Sequence, residues 1–517
     1  MTNTVDLHEF EQSIVVRQLR EDDYDRICAL QIACFPGMGP WEKQGYMHQL
    51  KVFPEGQLGV EIDGLLVAGS SSLILEMDLY GELHTFDEIV PQDRLINHNP
   101  HGDTLYGIDI FVDPDFRDRR LARRMYDARK DLCRRLNLGR IVVGARIPGY
   151  TRHSYKMNVR EYVEAVENRT LRDAVLTTQL RNNFVVKRII EGYYPSDEES
   201  GGYGILLEWT NIDYQQTRGK VYRSSRPIRV SAIQYQMRPV NNFEEFASQC
   251  EFFVDTAADY NGDFIVFPEL LTTQLLSFID EKNSIKAARK LSEYTPDYLE
   301  MFSRLATDYN INIVGGSHFI NEEGTMHNAA FLFHRDGRID RQIKLHNTPD
   351  ERDQWGLQPG NDIEVFDTDI GKIAILICYD IEFPEVVRLA VDKGAQVLFV
   401  PFCTDDRHGY LRVRYCAQAR CIENHIYAVI AGTVGNLPRV ENMALQYAQS
   451  AVLTPSDVMF ARDGVAAECT PNIETLVMTD LDLELLARHK RTGATRNWLD
   501  RRFDLYEVVP KRKDTPV

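Results

Sequence analysis

Lys372-Ile-Ala-Ile-Leu-Ile-Cys378-Tyr-Asp-Ile-Glu-Phe-Pro-Glu385 decides the fold of the larger part of this chain. Ile373 to Ile377 offer no polar face, so a strand built from them has to be covered on both sides. Runs of the same kind recur at 228–237, 264–269, 312–319, 329–334, 395–402, 426–432, 450–455 and 475–480. Helical spacing lies between them, at about 241–260, 286–309, 384–393 and 409–424. Doubly buried strands with intervening helices predict an α/β domain.

Reactive groups in α/β proteins collect where strands end. FIVFPE ends in Glu269 and KIAILIC ends in Cys378. A strand Ile339-Asp-Arg-Gln-Ile-Lys344, fed by the turn at His334–Arg338, ends in Lys344. A carboxylate, a lysine and a cysteine make a workable acyl-transfer set. Glu269 can take the thiol proton and return it to a leaving amine. Lys344, kept charged, can lower the thiol pKa and hold an oxyanion together with the backbone N–H of Tyr379. A cysteine ending one apolar strand, met alone, reads as packing. Glu269 and Lys344, in order, turn that reading toward chemistry.

Phe-Pro-Glu269-Leu, Lys344-Leu-His and Cys378-Tyr-Asp-Ile-Glu-Phe-Pro-Glu385, followed by Ala419-Arg420-Cys-Ile-Glu423-Asn424-His-Ile-Tyr427, resemble in order and spacing the motifs of the nitrilase, or carbon-nitrogen hydrolase, superfamily. The resemblance covers about 226–510. It implies an αββα sandwich that pairs into dimers or larger homo-oligomers, with Cys378 as nucleophile attacking an amide or nitrile carbon, and with no cofactor or metal. It also implies a second glutamate, for which Glu351 is the candidate and Asp353 the rival. The thioester could instead pass to an amine, which would make an amide-forming acyltransferase. Asp380, Glu382 and Glu385 read as turn and cap residues, Arg420 with Glu423 as a structural ion pair, and Cys403, Cys416, Cys421 and Cys469 as packing. The loop Cys403–Gly409 is expected to line the pocket, its mixed charges favouring a polar or zwitterionic small-molecule amide.

The first part of the chain has a different pattern. A hairpin is predicted over 58–75, turning at Asp63-Gly64, with strands at 105–112, 140–145 and about 203–209 and a helix at about 119–136. Nine Arg or Lys residues fall between Arg117 and Arg135. A strand, then Asp-Pro-Asp-Phe-Arg117-Asp-Arg-Arg120-Leu121-Ala122, then a basic helix, is the layout of a pyrophosphate site at a helix N-terminus. It is similar to motif A of the GNAT N-acetyltransferases, over about 13–210. That similarity implies acetyl-CoA as cofactor, held at Val112, Arg117, Arg120, Leu121 and Ala122. Arg120 stands where the family has its first glycine, and Asp109, Glu161 and Tyr193 offer no compelling base for an amine. A domain that binds coenzyme A as a scaffold or sensor is therefore as consistent with the residues as acetyl transfer is.

The whole reads as an α/β fusion: a GNAT-like domain at 1–215, a linker at 216–226, and a nitrilase-like domain at 227–517. With 59 basic and 77 acidic residues the formal charge is −18, which repels nucleic acid and anionic membrane. Nine cysteines without a CxxC pair, and a first segment without a basic start or apolar core, point to a reducing cytoplasm. His98 and His101 have metal-like spacing but no third ligand in view.

Overall fold

The computed structural model describes residues 6–35, 39–77, 80, 83–91, 94–117, 119–214, 227–440 and 443–509. The expected linker at 216–226 lies outside them. Two compact units divide the chain: one spans 13–223, and the other joins residues up to 12 with those from 224 onward. The first residues thus belong with the second unit, not with the GNAT-like domain expected to begin at residue 1. Leu7 and Phe10 pack on the core of that unit. The Gln12 amide donates to the Gly337 carbonyl at 3.2 Å and the Ser303 hydroxyl to the Phe10 carbonyl at 3.0 Å. Gly337, at φ +97, is needed here, since a Cβ on it would lie 1.6 Å from the Gln12 oxygen.

In the unit spanning 13–223, strands β1 (Ile14–Gln18), β2 (Leu58–Ile62), β3 (Leu65–Leu75), β4 (Thr104–Val112), β5 (Arg140–Ala145), β6 (Val185–Ile190) and β7 (Gly204–Thr210) form one sheet in the order β1-β2-β3-β4-β5-β7-β6. The Asp63-Gly64 turn has φ of 48 and 83, the doubly left-handed pair that a two-residue hairpin favours. Adjacent residues of β3 face opposite ways. Leu66 packs with helix Tyr24–Cys34, and Val67 with helix Leu121–Arg135. β4 carries a bulge, because Ser71 pairs Asp109 while Ser72 pairs Gly107. Its parallel pairing with β5 runs only from Thr104–Arg140 to Gly107–Val143, so the two strands part beyond that point.

The second unit holds twelve strands in one connected sheet. They are β8 (Ile228–Met237), β9 (Phe264–Val266), β10 (Asn312–Glu322), β11 (Thr325–Phe333), β12 (Ile339–Ile343), β13 (Phe366–Thr368), β14 (Gly371–Ile375), β15 (Val397–Phe402), β16 (Tyr427–Gly435), β17 (Ala451–Leu453), β18 (Val465–Glu468) and β19 (Thr475–Leu481). The main path runs β12-β11-β10-β9-β8-β16-β15-β14-β13. The two-sided burial read from the sequence is realised residue by residue. Phe264 and Val266 enter a core covered by helices Pro384–Asp392 and Arg407–Asn424, while Ile265 and Phe267 enter one covered by Phe243–Asp259 and Thr295–Tyr309. Helices on both sides of paired strands give the αββα architecture. The helix expected over 286–309 is two, Ser284–Ser292 and Thr295–Tyr309, the second starting with Pro296 in its first turn.

Candidate active site

Strands β9, β12 and β14 of the second unit deliver their ends to one place. β9 stops at Val266, and the chain turns at Leu270 with φ 56, so Glu269 points inward and is 2% exposed. Lys344 follows β12 directly. Its amide donates to the Asn328 carbonyl at 2.9 Å and its carbonyl accepts from Gly360 at 2.7 Å, which pins the backbone. Thr348 caps the short helix Pro349–Asp353, and that capping box presents Glu351.

The Lys344 ammonium lies 2.7 Å from Glu269 Oε1 and 2.6 Å from Glu351 Oε2, with all three side chains buried. Asn328 donates one amide group to both carboxylates, at 3.1 Å to Glu269 and 2.8 Å to Glu351. The Cys403 amide donates to the other Glu269 oxygen at 3.0 Å, and the Cys378 sulfur sits 3.7 Å from the Cys403 carbonyl. Cys403, whose thiol was expected to be packing at the start of a pocket-lining loop, therefore places its backbone between Glu269 and Cys378. Its sulfur is tied back to Gln446 at 2.8 Å. Asp353 pairs with Arg352 on the exposed side, so Glu351 and not its rival faces the lysine.

β14 ends at Ile375, three residues short of Cys378, which opens a turn of 3-10 helix, Cys378–Glu382. Cys378 does not close the strand as the sequence suggested: it lies in the turn beyond it, is 7% exposed and adopts φ 47. A left-handed backbone on a residue with a Cβ costs about 1–2 kcal/mol and persists only where the surroundings impose it. Asp380 supplies that constraint. Its buried carboxylate accepts from the amides of Ile377 at 3.2 Å, His346 at 2.8 Å and Leu345 at 3.2 Å, which ties the lysine loop to the cysteine turn. Arg420 grips the turn from the other side through the carbonyls of Ile381 and Glu382, and pairs with Glu423 at 3.2 Å as expected. The Tyr379 ring packs edge-on against Phe383, whose face is stacked on His346.

Burial, opposed by Lys344 and reinforced by the charge of Glu351, raises Glu269 to about 7. Burial would raise Glu351 too, but Lys344 and the donors at Thr348 and Asn328 hold it below the usual carboxylate range. Lys344 loses from burial but is held well above its ordinary value by the two glutamates. Burial and the nearby Glu269 push the Cys378 thiol well up, so the lysine does not make it a resting thiolate. A protonated thiol beside a carboxylate titrating near neutrality can pass its proton during attack on an electrophilic carbon.

In the other unit, Arg120 adopts φ 52, the backbone a glycine would take, at the start of helix Leu121–Arg135. The Arg120 side chain does not cap that helix. The Val112 carbonyl accepts from the Cys34 thiol at 3.0 Å, and Arg117 also bonds Cys34. The three base candidates are engaged: Asp109 accepts from the Ser71 amide, Glu161 closes its own capping box, and Tyr193 shares a hydrogen bond with the Tyr106 hydroxyl. His98 accepts from the Ile74 amide and stacks on Phe53. Among the described residues, no His, Cys, Asp and Glu side chains group as a metal site, and no helix is long and apolar enough to cross a membrane.

Residues 229–491 match the family model for carbon-nitrogen hydrolases. Across its length the chain is 50% identical to the probable hydrolase YhcX of Bacillus subtilis (strain 168), over 99% of this chain and 100% of that protein. The uncharacterized N-acetyltransferase YkwB of the same organism is 32% identical over 40% of this chain and 92% of its own length. Omega-amidase NIT2 of Xenopus tropicalis is 27% identical over 55% of this chain and 99% of its own. A solved carbon-nitrogen hydrolase from Helicobacter pylori G27 superposes with a TM-score of 0.47 at 20% identity, covering 55% of this chain and 98% of that one. With a family match over the second unit, full-length similarity to a probable hydrolase and partial similarity to an N-acetyltransferase, this chain belongs to the carbon-nitrogen hydrolase family and carries an N-acetyltransferase-like domain ahead of the hydrolase.

Proposed function

We propose that the second unit hydrolyses a small, non-peptide amide through a thioester on Cys378. The observation that carries this reading is Glu269, bonded to Lys344 at 2.7 Å and to the Cys403 amide at 3.0 Å, beside the one cysteine held on a left-handed turn. Cys378 attacks the carbonyl carbon as Glu269 takes its proton. Lys344 and the Tyr379 N–H stabilise the oxyanion, and Glu269 returns the proton to the departing nitrogen. Water, deprotonated by Glu269, then releases the acid. Glu351 keeps Lys344 charged and in place. The test is intact-mass spectrometry after incubation with a panel of primary amides, alongside ammonia release. An acyl adduct on Cys378 and ammonia lost in Cys378→Ala support the mechanism, and no adduct and no ammonia with any amide overturns it.

The N-terminal unit binds acetyl-CoA on this reading, and the residues at its helix fit a pyrophosphate. Helix Leu121–Arg135 starts without a cap from the Arg120 side chain, and Arg120 is already in the glycine-like conformation, where β4 and β5 have separated. Arg120 then adds a cation where the family has a glycine, and Leu121 and Ala122 present the first helical amides. When bound, acetyl-CoA would supply a thioester for transfer to an amine. Calorimetry of the full chain with acetyl-CoA tests this. Binding weakened at least about tenfold by Arg117→Ala together with Arg120→Ala is expected, and absence of binding to the unmodified chain removes the reading.

A further inference from the structure

Away from the active site, two buried histidines and a partly buried aspartate of the hydrolase unit form a hydrogen-bonded chain. His425 Nδ1 lies 2.8 Å from His489 Nδ1, and His489 Nε2 lies 2.9 Å from Asp457 Oδ2. Both imidazoles are 2% exposed. The three come from separate elements. His425 follows helix Arg407–Asn424 and caps it with φ 49. His489 sits near the end of helix Leu483–Thr492, and Asp457 lies in the loop after β17. Asp457 also accepts from the Ala494 amide at 2.9 Å, so the cluster secures the helix and the residue just beyond it. The Phe460 ring stands edge-on to His489 at 4.8 Å, and the Nε2 atom of His425 is shut away from solvent with no partner among the described residues.

The hydrogens can be counted. His489 Nε2 faces a carboxylate and so carries one, which it donates. A 2.8 Å contact between two Nδ1 atoms holds one hydrogen, not two. One added proton can be absorbed by a shift of tautomer, leaving a cation on His489 beside Asp457. A second would put N–H against N–H between two cations, inside the protein, with Lys490 on the same helix adding a like charge.

We propose that His425, His489 and Asp457 form a proton-sensitive latch that holds helix Leu483–Thr492 and the chain after it to the hydrolase unit, and that acid opens it. Burial, with His489 and Lys490 adding to it and Asp457 opposing, depresses His425 to about 4 from its usual 6.5. A depressed value favours the folded form above 6.5, and that contribution is lost as pH falls toward 4. The latch therefore weakens across this window.

Hydrogen exchange followed by mass spectrometry on the full chain at pH 7.5 and pH 4.5, corrected for intrinsic rates, is the test. Helix Leu483–Thr492 should exchange more than about tenfold faster at the lower pH while helix Thr295–Tyr309 stays protected. His425→Asn keeps an N–H toward His489, tolerates the left-handed backbone and does not titrate, so its helix should stay protected at pH 4.5. Unchanged protection in the natural chain, simultaneous loss at Thr295–Tyr309, or release in His425→Asn equal to that of the natural chain overturns the latch. If His425→Asn does not fold, Asp457→Asn decides: it removes the carboxylate that accommodates the first proton and should raise the release midpoint by about one pH unit, and an unmoved midpoint rejects the proposal.

Discussion

The Lys344 ammonium lies 2.6 Å from the Glu351 carboxylate with both side chains out of solvent, and Glu269 meets the same nitrogen from its other side. One cation thus serves two buried carboxylates, and burial above all, with the Glu351 charge adding to it against Lys344, makes Glu269 reluctant to ionise.

Lys344→Met removes the cation and leaves the two carboxylates uncompensated. Breaking a buried ion pair costs about 3–5 kcal/mol, and loss of an oxyanion donor costs about 10³-fold in kcat. Urea unfolding and ammonia release measured on the same sample should show both losses together.

The activity should rise with pH. Glu269, raised to about 7 chiefly by burial, must be ionised to take the thiol proton, so kcat/KM climbs through neutrality to a plateau. Glu351→Gln removes a like charge that helps to raise Glu269, so the midpoint of the pH profile moves to lower pH. A midpoint that stays put would show that Glu351 does not act on Glu269 through its charge.

Asn328→Leu deletes the amide that bridges Glu269 and Glu351 at similar volume. Hydrogen bonds to charged groups are worth about 1.5–3 kcal/mol each. The expected outcome is a fall in kcat of about tenfold to a hundredfold with KM little changed, read by steady-state kinetics on whichever amide gives the largest rate.

Asp380→Ala cuts the link between the lysine loop and the cysteine turn. Three backbone amides lose a buried anionic acceptor, which should destabilise the unit by about 3 kcal/mol or more. Denaturant midpoints check this. Crystals of the variant should show Cys378 relaxed from its left-handed φ.

The three residues were legible because Glu269 and Cys378 are chemically active side chains closing apolar runs and Lys344 directly follows a strand lying between them in sequence, and strand ends are where such groups meet. Glu351 was half-legible, since the Thr348 capping pattern announces a helix start but not what its glutamate faces. Asn328 went unseen. It is a buried polar residue just ahead of the apolar run 329–333 of β11, and a buried amide of this kind has to find partners. Cys403 misled because its contribution is made by its amide and carbonyl, which no side chain advertises. Cys378 was misread as the end of the strand for a related reason: the apolar run ends there, but the strand stops at Ile375, and the φ of 47 in the turn depends on Asp380 and on the lysine loop together.

Leu7 to Gln12 have a consequence for the chain as a thread. The path starts on the hydrolase unit, leaves it to build the acetyltransferase-like unit, and comes back, so the latter is connected at both of its ends. A protease that cuts once between the units would not set them free, because Phe10 and Gln12 still hold the other strand of the connection. Any attempt to study the hydrolase alone by starting at residue 227 would strip a fitted strip of chain from Gly337 and Ser303. In effect the smaller unit is a loop of the larger one, grown to the size of a domain.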